Sequence, residues 1–188
     1  MKQTLQEKGY TASHFATARA AAAYLNEAID GVSVGIGGSI TIEQMGLYEQ
    51  LATHNTVHWH WQGGDLRQAA QADVYLSSVN GLSQNGEIVN IDGIGNRVAS
   101  ILYGHKKVYL VVGQNKIAPD LAAALDRARN VAAPLNAKRL GKHTPCVKGG
   151  RCFDCNSPDR ICRELAVLWQ CPTGADIEIV LIDENLGY

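Results

Sequence analysis

The chain has 188 residues, a formal net charge of −1 at pH 7, and 46% hydrophobic residues. This length and composition are typical of one domain with its own core, and the near-zero charge argues against a broad nucleic-acid-binding face. No apolar run approaches the roughly twenty residues that span a bilayer, and the N-terminus lacks the apolar stretch of a secretory signal. We therefore expect a single domain over 1–188 in the cytoplasm, with no nucleic acid and no membrane as partners.

The first half of the chain alternates between predicted helices and strands. An alanine-rich segment over 11–29 predicts a helix, because alanine is the best helix former. The apolar run 32–36 predicts a short buried strand, followed by a glycine-rich loop and a helix over about 39–51. The segments 56–61 and 72–78 are predicted strands, with a turn and a short helix between them.

The second half continues the alternation. A polar stretch over 78–90 predicts a long loop with a hairpin at Asn85-Gly86, and a helix follows near 94–104. The segment 106–113 is the strongest predicted strand, 119–140 is helical with an interruption near Pro134, and 175–183 is a final strand. Such alternation predicts an α/β fold whose mostly parallel sheet is covered on both faces, with ligands at the carboxyl ends of its strands.

The loop "GIGGSITIEQ" (35–44) follows the first buried strand of this pattern. Its glycines allow a close backbone approach, and its hydroxyls and the following helix start are suited to an anion. It lacks the Gly-Lys-Ser/Thr of a phosphate-binding Walker loop, and Ile40 stands where a dinucleotide fingerprint needs its third glycine. A tight turn capped by Ser39 is the alternative interpretation. The candidate ligand-binding residues are Gly35, Gly37, Gly38, Ser39 and Thr41.

Two further polar clusters are expected at the same edge of the sheet. In "VNIDGIGNR" (89–97), Asp92 could act as an acid or base, and Arg97 could hold a carboxylate or phosphate through two hydrogen bonds. The alternative is a turn whose polar side chains bond their own backbone. The stretch "GQNK" follows the strongest strand. The candidate residues are Asn90, Asp92, Gly93, Gly95, Asn96, Arg97, Asn115 and Lys116.

Four of the five cysteines lie within seventeen positions, with the spacing C-x5-C-x2-C-x6-C. In a reducing compartment such clusters bind metals more often than they form disulfides. Cys146, Cys152, Cys155 and Cys162 could supply four thiolates to zinc or to a [4Fe–4S] cluster, and the sulfur count does not choose between them. Unliganded thiols are the alternative. The segment after Cys155 is a predicted capped helix, with Cys162 inside it.

Several of these stretches together resemble the LUD-domain proteins, the lactate-utilisation family once catalogued as a domain of unknown function, DUF162. They are "GIGGSIT", "NGEIVNIDGIGNRVA", "GQNKI", "RNVAAPLNAKRL" and "TPCVKGGRCFDCNSPDRIC". The similarity is greatest to the short branch that is like lactate utilisation protein C. It implies a NagB/RpiA/CoA-transferase-like, Rossmann-like three-layer sandwich with a Cys-rich excursion over 143–163. It also implies that the glycine loop and the 90–97 cluster line one pocket, with Asn115 and Lys116 opposite.

The resemblance implies a component of a lactate-oxidising system that binds an anionic small molecule and carries an iron–sulfur cluster, beside iron–sulfur protein partners. An alternative is an isomerase or an acyl/CoA-transfer enzyme, with Asp92, Glu43 and Lys116 as candidate catalytic groups. A second alternative is a non-catalytic binding module with structural zinc, and a homo-oligomer is left open. All three require Ser39, Asp92 and Lys116 to converge at one edge of the sheet.

Overall fold

The computed structural model describes all residues 1–188. Its main sheet has six strands, all of them parallel. They are β1 (Thr11–Phe15), β2 (Ser33–Ile36), β3 (Thr56–Trp59), β4 (Val74–Ser78), β7 (Lys107–Gly113) and β10 (Ile177–Ile182). Their order across the sheet is β1-β10-β7-β4-β2-β3. The predicted strands at 32–36, 56–61, 72–78, 106–113 and 175–183 all contribute to this sheet.

A second sheet of four short strands lies beside the first. Its members are β5 (Gly81–Ser83), β6 (Ile88–Asp92), β8 (Ile117–Ala118) and β9 (Glu164–Leu168), in the order β8-β5-β6-β9. β5 and β6 form the antiparallel hairpin expected around Asn85-Gly86, and β9 pairs antiparallel with β6. The sheet as a whole was not predicted, because β5 and β8, with three and two residues, are too short to show a period, and β9 lies where a helix was expected.

Nine short α-helices complete the fold, and none is long and apolar enough to cross a membrane. They are α1 (Lys2–Glu7), α2 (Ala18–Ala28), α3 (Ile40–Gln44), α4 (Leu47–Leu51), α5 (Leu66–Ala70), α6 (Asn96–Leu102), α7 (Leu121–Arg127), α8 (Ala133–Arg139) and α9 (Pro145–Gly149).

The core has two halves, one on each face of the main sheet. Along β7, Val108, Leu110 and Val112 point into one half, while Tyr109 and Val111 point into the other, as the two-residue period of a strand requires. One half packs against α2, α3 and α4, and the other packs against α1, α6 and the second sheet. The α/β three-layer arrangement around a mostly parallel sheet is therefore confirmed.

The helix predicted over 11–29 is wrong in its first third. Thr11–Phe15 forms the edge strand β1, which pairs with β10, and α2 begins only at Ala18, where the Thr17 side chain accepts a hydrogen bond from the Ala20 N–H. The prediction rested on the alanine content of the segment. Pairing with the exposed edge of β10 outweighs a helix propensity of well under 1 kcal/mol per residue.

The helix predicted over 39–51 is divided into α3 and α4. Gly46 between them has a φ of 59°, a left-handed conformation that ends a helical run and suits glycine. The predicted strand 56–61 also ends early, at Trp59, and His60–Gln62 form a 3₁₀ turn. His58 therefore lies in the strand, whereas His60 belongs to the turn that follows it.

Two predictions in the C-terminal third are also corrected. The segment 119–140 does not break at Pro134, because a π-helical turn over Ala128–Ala132 links α7 to α8, and the proline occupies the first turn of α8. The capped helix predicted after Cys155 does not form. Residues 150–163 are irregular, and Glu164–Leu168 instead pairs with β6 as β9.

A close backbone approach makes Gly35 necessary to the fold. A Cβ added there would lie 2.1 Å from the carbonyl oxygen of Ala69, so α5 could not keep its place against β2. We expect Gly35→Ala to lower the free energy of unfolding by about 2–4 kcal/mol, measured by denaturant titration. Gly38→Ala is the matched control, since its nearest neighbours would lie at 3.5 Å, an ordinary contact. Equal losses in the two variants would contradict this account.

Candidate functional site

A cleft of about 370 Å³ opens at the carboxyl ends of the main-sheet strands. Its lining includes Gly38–Ile40 after β2, Ser78–Asn80 from the end of β4, and Lys116 after β7. Asp92, at the end of β6, comes from the second sheet, and Arg97 comes from the start of α6, which follows it. The structure thus brings Ser39, Asp92 and Lys116 to one cleft, as the strand order requires.

Lys116 is the most unusual residue of this cleft. It is only 3% exposed, and its Nζ donates to Thr41 Oγ1 at 2.9 Å and to Ser78 Oγ at 2.8 Å. No carboxylate forms a salt bridge with it. Burial, followed by the charges of Arg127 and Arg97, lowers the pKa of Lys116 to about 7.

The Arg97 guanidinium forms hydrogen bonds within the protein, so it is not free to hold a ligand through two hydrogen bonds. Its Nη1 and Nη2 donate to side-chain oxygens of Asn90, at 2.7 Å, and of Asn80, at 3.1 Å, and to backbone oxygens of Ser78 and Ile91. Burial lowers its pKa, although the nearby Asp92 opposes that shift. Both terminal nitrogens already donate to protein oxygens. Arg97 therefore contributes its positive charge to the cleft, rather than the pair of hydrogen bonds to a ligand that was expected from the sequence.

Asp92 is likewise committed to the backbone. Its Oδ1 accepts from the Gly93 N–H, and its Oδ2 accepts from the N–H groups of Arg97 and Val98. It therefore caps the start of α6, which matches the alternative that its side chain bonds its own loop. Glu43, the other acidic candidate, is exposed on α3 and does not line the cleft.

The glycine loop divides into structural and cleft-facing parts. Gly35 packs against α5, and a Cβ on Gly37 would meet the Tyr75 hydroxyl at 2.6 Å, so both glycines serve close packing. Gly38 and Ser39 line the cleft, and the Ser39 hydroxyl accepts from the Ile42 N–H as the cap of α3. The backbone N–H groups of Gly38, Ser39 and Ile40 donate to no protein acceptor.

Of the remaining predicted site residues, some line the cleft and others support it from outside. Gly93 and Asn96 line the cleft, whereas Gly95, with a φ of 78°, precedes α6, and Asn90 holds Arg97. Asn115 lies behind Lys116, where it donates to the Gly187 carbonyl and accepts from the Leu186 N–H. It thereby fixes the C-terminal residues beside the cleft.

The opposite wall combines aromatic and basic side chains, and sequence reasoning missed the part of His60 and Trp61 in it. The Arg139 guanidinium lies 4.7 Å from the ring centre of Trp61, and its Nε donates to Tyr188 Oη at 2.7 Å. His60 lies beside them, and burial, with the Arg139 charge, lowers its pKa. The 3₁₀ turn after β3 presents His60 and Trp61, so a strict strand pattern could not place them. Ser78 and Asn80 were detectable, as polar residues directly after a buried strand.

The cleft carries an excess of positive charge. Asp92 is its only acidic residue, and both of its oxygens already accept from backbone N–H groups. Five basic residues line the cleft: Arg97, Lys116, Arg139, Arg160 and Arg163. An anion is therefore the favoured occupant on electrostatic grounds.

The four clustered cysteines line one separate, small cavity of about 20 Å³. Cys152 Sγ accepts from the Asp154 N–H at 3.3 Å and from Arg129 Nη2 at 3.7 Å. Arg160 donates to the carbonyl oxygens of Cys155 and Cys162. The structure brings no three His, Cys, Asp or Glu side chains close enough together to hold a metal ion.

The cysteine cavity has the donor type of a thiolate-bound metal, although the sulfurs are not arranged around an ion in this structure. Four soft sulfur donors face one space, and N–H groups and a cation point at a sulfur, as they do around iron–sulfur clusters. No residue of 150–163 belongs to a hydrophobic core cluster, so burial contributes little to holding this irregular segment. Cys171 lies outside the cavity, beside the second half of the core.

The two cavities share a wall. Ala133, Arg160 and Ile161 line both of them. A molecule in the cleft would therefore contact the same side chains that enclose the cysteines.

Comparison with known families identifies the fold that carries this site. The model of the LUD domain matches residues 1–182. The chain belongs to the LUD-domain family. A crystal structure of a DUF162 family protein from Deinococcus radiodurans is similar to this LUD domain, with a TM-score of 0.55 and 14% identity over 96% of this chain and 93% of that chain. At that identity the likeness concerns the fold. No curated protein matches the chain.

The lowered pKa of Lys116 predicts a pH dependence of stability. Between about 7 and its usual value of 10.5, the unfolded chain binds a proton at this lysine that the native protein does not. Lowering the pH through this window should destabilise the native state by up to ~1.4 kcal/mol per unit, levelling off below about 7. The measurement is the difference in free energy of unfolding between wild type and Lys116→Met as a function of pH.

Lys107→Met is the matched control for this prediction. Lys107 donates to Asp176 at 2.7 Å, and the ion pair raises its pKa against the effect of burial. Its stabilising charge is present throughout the same window and is lost only above its usual titration range. A flat wild-type-minus-Lys116→Met difference would show that Lys116 is charged in the native protein.

Proposed function

We propose that this LUD-domain protein binds an anionic small molecule in the cleft. One observation carries the proposal: four arginines line a cleft whose single acid, Asp92, already accepts from backbone N–H groups. Burying a cationic group such as the Arg97 guanidinium is costly unless a counter-charge compensates it. A carboxylate or phosphate in the cleft would supply that compensation to Arg97 and to the other arginines.

The glycine loop supports the same ligand class. Backbone N–H groups of Gly38, Ser39 and Ile40 have no protein acceptor and are carried on the loop that lines the cleft. Such groups hold anions without any sequence-specific side chain. Arg139 and Arg163, which are exposed at the cleft, can approach the ligand without leaving a buried partner unpaired.

We further propose that Cys146, Cys152, Cys155 and Cys162 hold a [4Fe–4S] cluster, with zinc as the alternative. The shared cavity and the N–H donors toward Cys152 support a metal held by these sulfurs. An iron–sulfur cluster would supply one-electron transfer next to the cleft. Arg129 and Arg160 would offset the negative charge of the four thiolates.

Membership of the LUD-domain family supports a place for this protein in a lactate-oxidising system of the cytoplasm, beside iron–sulfur partner proteins. The geometry favours this over isomerase or acyl-transfer chemistry of the CoA-transferase type. The two acidic candidates for those reactions would have to act as acid, base or nucleophile on a ligand in the cleft. Glu43 lies outside it, and the oxygens of Asp92 are taken by backbone N–H groups.

Anion binding is tested by calorimetry with L-lactate, pyruvate and inorganic phosphate. At least one of these should bind, and Arg139→Gln should weaken its Kd about tenfold, because the variant removes a cation at the cleft while leaving a polar side chain. Arg67→Gln on α5 is the control, since Arg67 does not line the cleft. The absence of binding by all three probes would contradict the proposal, as would equal weakening by both variants.

The metal proposal is tested on anaerobically purified protein by metal analysis and visible absorption. We expect iron, acid-labile sulfide and a brown colour that Cys152→Ser abolishes, because a cluster loses a ligand. Cys171→Ser is the matched control and should keep the full metal content. Colourless protein with one zinc per chain would favour the structural-zinc alternative, and protein with neither metal would exclude both.

A further inference from the structure

The hydrogen bonds of the two hydroxyls around Lys116 indicate whether its side-chain amine is neutral or protonated. Ser78 Oγ donates to the Val111 carbonyl at 2.6 Å, and Thr41 Oγ1 donates to the Leu186 carbonyl at 3.3 Å. Each hydroxyl has one proton. Both are therefore left to act as acceptors toward Lys116 Nζ, which lies 2.9 Å and 2.8 Å from them.

A neutral amine matches this arrangement. It has two N–H bonds, which the two hydroxyls accept, and one lone pair, which remains unshared. An ammonium group would place a third N–H on Nζ, and no protein acceptor is present for it. No carboxylate pairs with the nitrogen, and the nearest charges are those of Arg97 and Arg127, which also disfavour a cation here.

The amine is also reachable. Lys116 lines the cleft together with Gly187. A Cβ on Gly187 would lie 3.3 Å from Nζ and 2.6 Å from Thr41 Oγ1, so a side chain there would crowd the nitrogen. Gly187 has a φ of 59°, which favours glycine at this position.

We propose that Lys116 is a nucleophile that forms a Schiff base with an anionic carbonyl compound bound in the cleft. This inference rests on the anion-binding function proposed above. The Nζ lone pair adds to the carbonyl carbon, the C=O π electrons move to oxygen, and a proton passes from nitrogen to that oxygen. The resulting carbinolamine loses water to give the C=N bond, with no change of oxidation state. The arginines and the glycine-loop N–H groups would hold the carboxylate or phosphate.

The first test traps the adduct by borohydride reduction, which adds hydride to the imine carbon and makes the link permanent. Wild-type protein is incubated with pyruvate or with dihydroxyacetone phosphate, reduced, digested and mapped by mass spectrometry. The reduced adduct is expected on Lys116 and not on the other lysines. The two probes separate a carboxylate from a phosphate as the recognised anion. L-Lactate, which has a hydroxyl in place of the ketone of pyruvate, is the matched ligand control. It should give no adduct while competing with pyruvate.

Lys116→Arg is the matched protein control, because it keeps a basic side chain at the cleft but cannot form a Schiff base. A second measurement needs no folded variant and no ligand. Trace acetic anhydride acetylates wild-type amines in proportion to their neutral fraction, and peptide mapping across about pH 5 to pH 10 gives a profile for each lysine. Lys116 should reach half-maximal labelling near pH 7, whereas labelling of Lys107, whose pKa is raised by its ion pair, should still be rising at pH 10.

The outcomes separate this inference from the function on which it rests. Pyruvate that binds by calorimetry but leaves no reduced adduct would overturn the Schiff base and leave the anion cleft intact. Binding by none of the probes would overturn both. A Lys116 that is not acetylated, or that titrates with the exposed lysines, would overturn the nucleophile on its own. An adduct mapped to Lys116 with an acetylation midpoint near neutral pH would support it.

Discussion

The buried Nζ of Lys116 is the point on which the cleft depends. It joins Thr41 on α3 to Ser78 at the end of β4, and the Ser78 hydroxyl continues to the Val111 carbonyl of β7. The helix α3 and the parallel strands β4 and β7 are thereby tied together by one nitrogen and one hydroxyl. A polar atom buried at such a place must find acceptors, and both acceptors here come from the segments that also line the cleft.

Arg97 performs the corresponding task between the two sheets. Its guanidinium bridges Ser78 of the main sheet and Asn90 and Ile91 of the second sheet, while Asp92 anchors the start of the helix that carries it. These hydrogen bonds therefore fix the position of the two sheets relative to each other. Asp92 offsets part of the Arg97 charge, and the other arginines of the cleft have no second acid among the lining residues, which favours an anion there.

The second sheet also sets the place of the cysteine segment. Because β9 pairs with β6, the irregular residues before it are held beside the cleft, where Arg160 and Ile161 separate the two cavities. Electron transfer and ligand binding would then take place across a single layer of side chains. Arg160 lines the cleft and donates hydrogen bonds to the carbonyl oxygens of Cys155 and Cys162. An anion that contacts Arg160 would therefore change the surroundings of these cysteines.

Sequence patterns were sufficient for the parallel strands and for the convergence of the glycine loop, the 90–97 cluster and Lys116. Continuous apolar runs such as 106–113 are strong signals, and strand ends of a parallel sheet meet at one edge whatever their spacing in the chain. The spacing of the four cysteines likewise indicated a common site. The sequence did not reveal β1, the second sheet or the 3₁₀ turn at His60. Each of these depends on an edge or a contact that distant residues supply.

The roles of individual side chains were decided by the tertiary structure alone. Asp92 and Arg97 have the residue types of a catalytic or ligand-holding pair, yet backbone N–H and C=O groups brought to them by folding take up most of their hydrogen bonds. Lys116 was a candidate from its position after a strand and from the family resemblance, but its unusual state arises from burial among hydroxyls without an acid. Residue type and strand order fix which groups can meet, whereas desolvation and the available partners fix what each group can do.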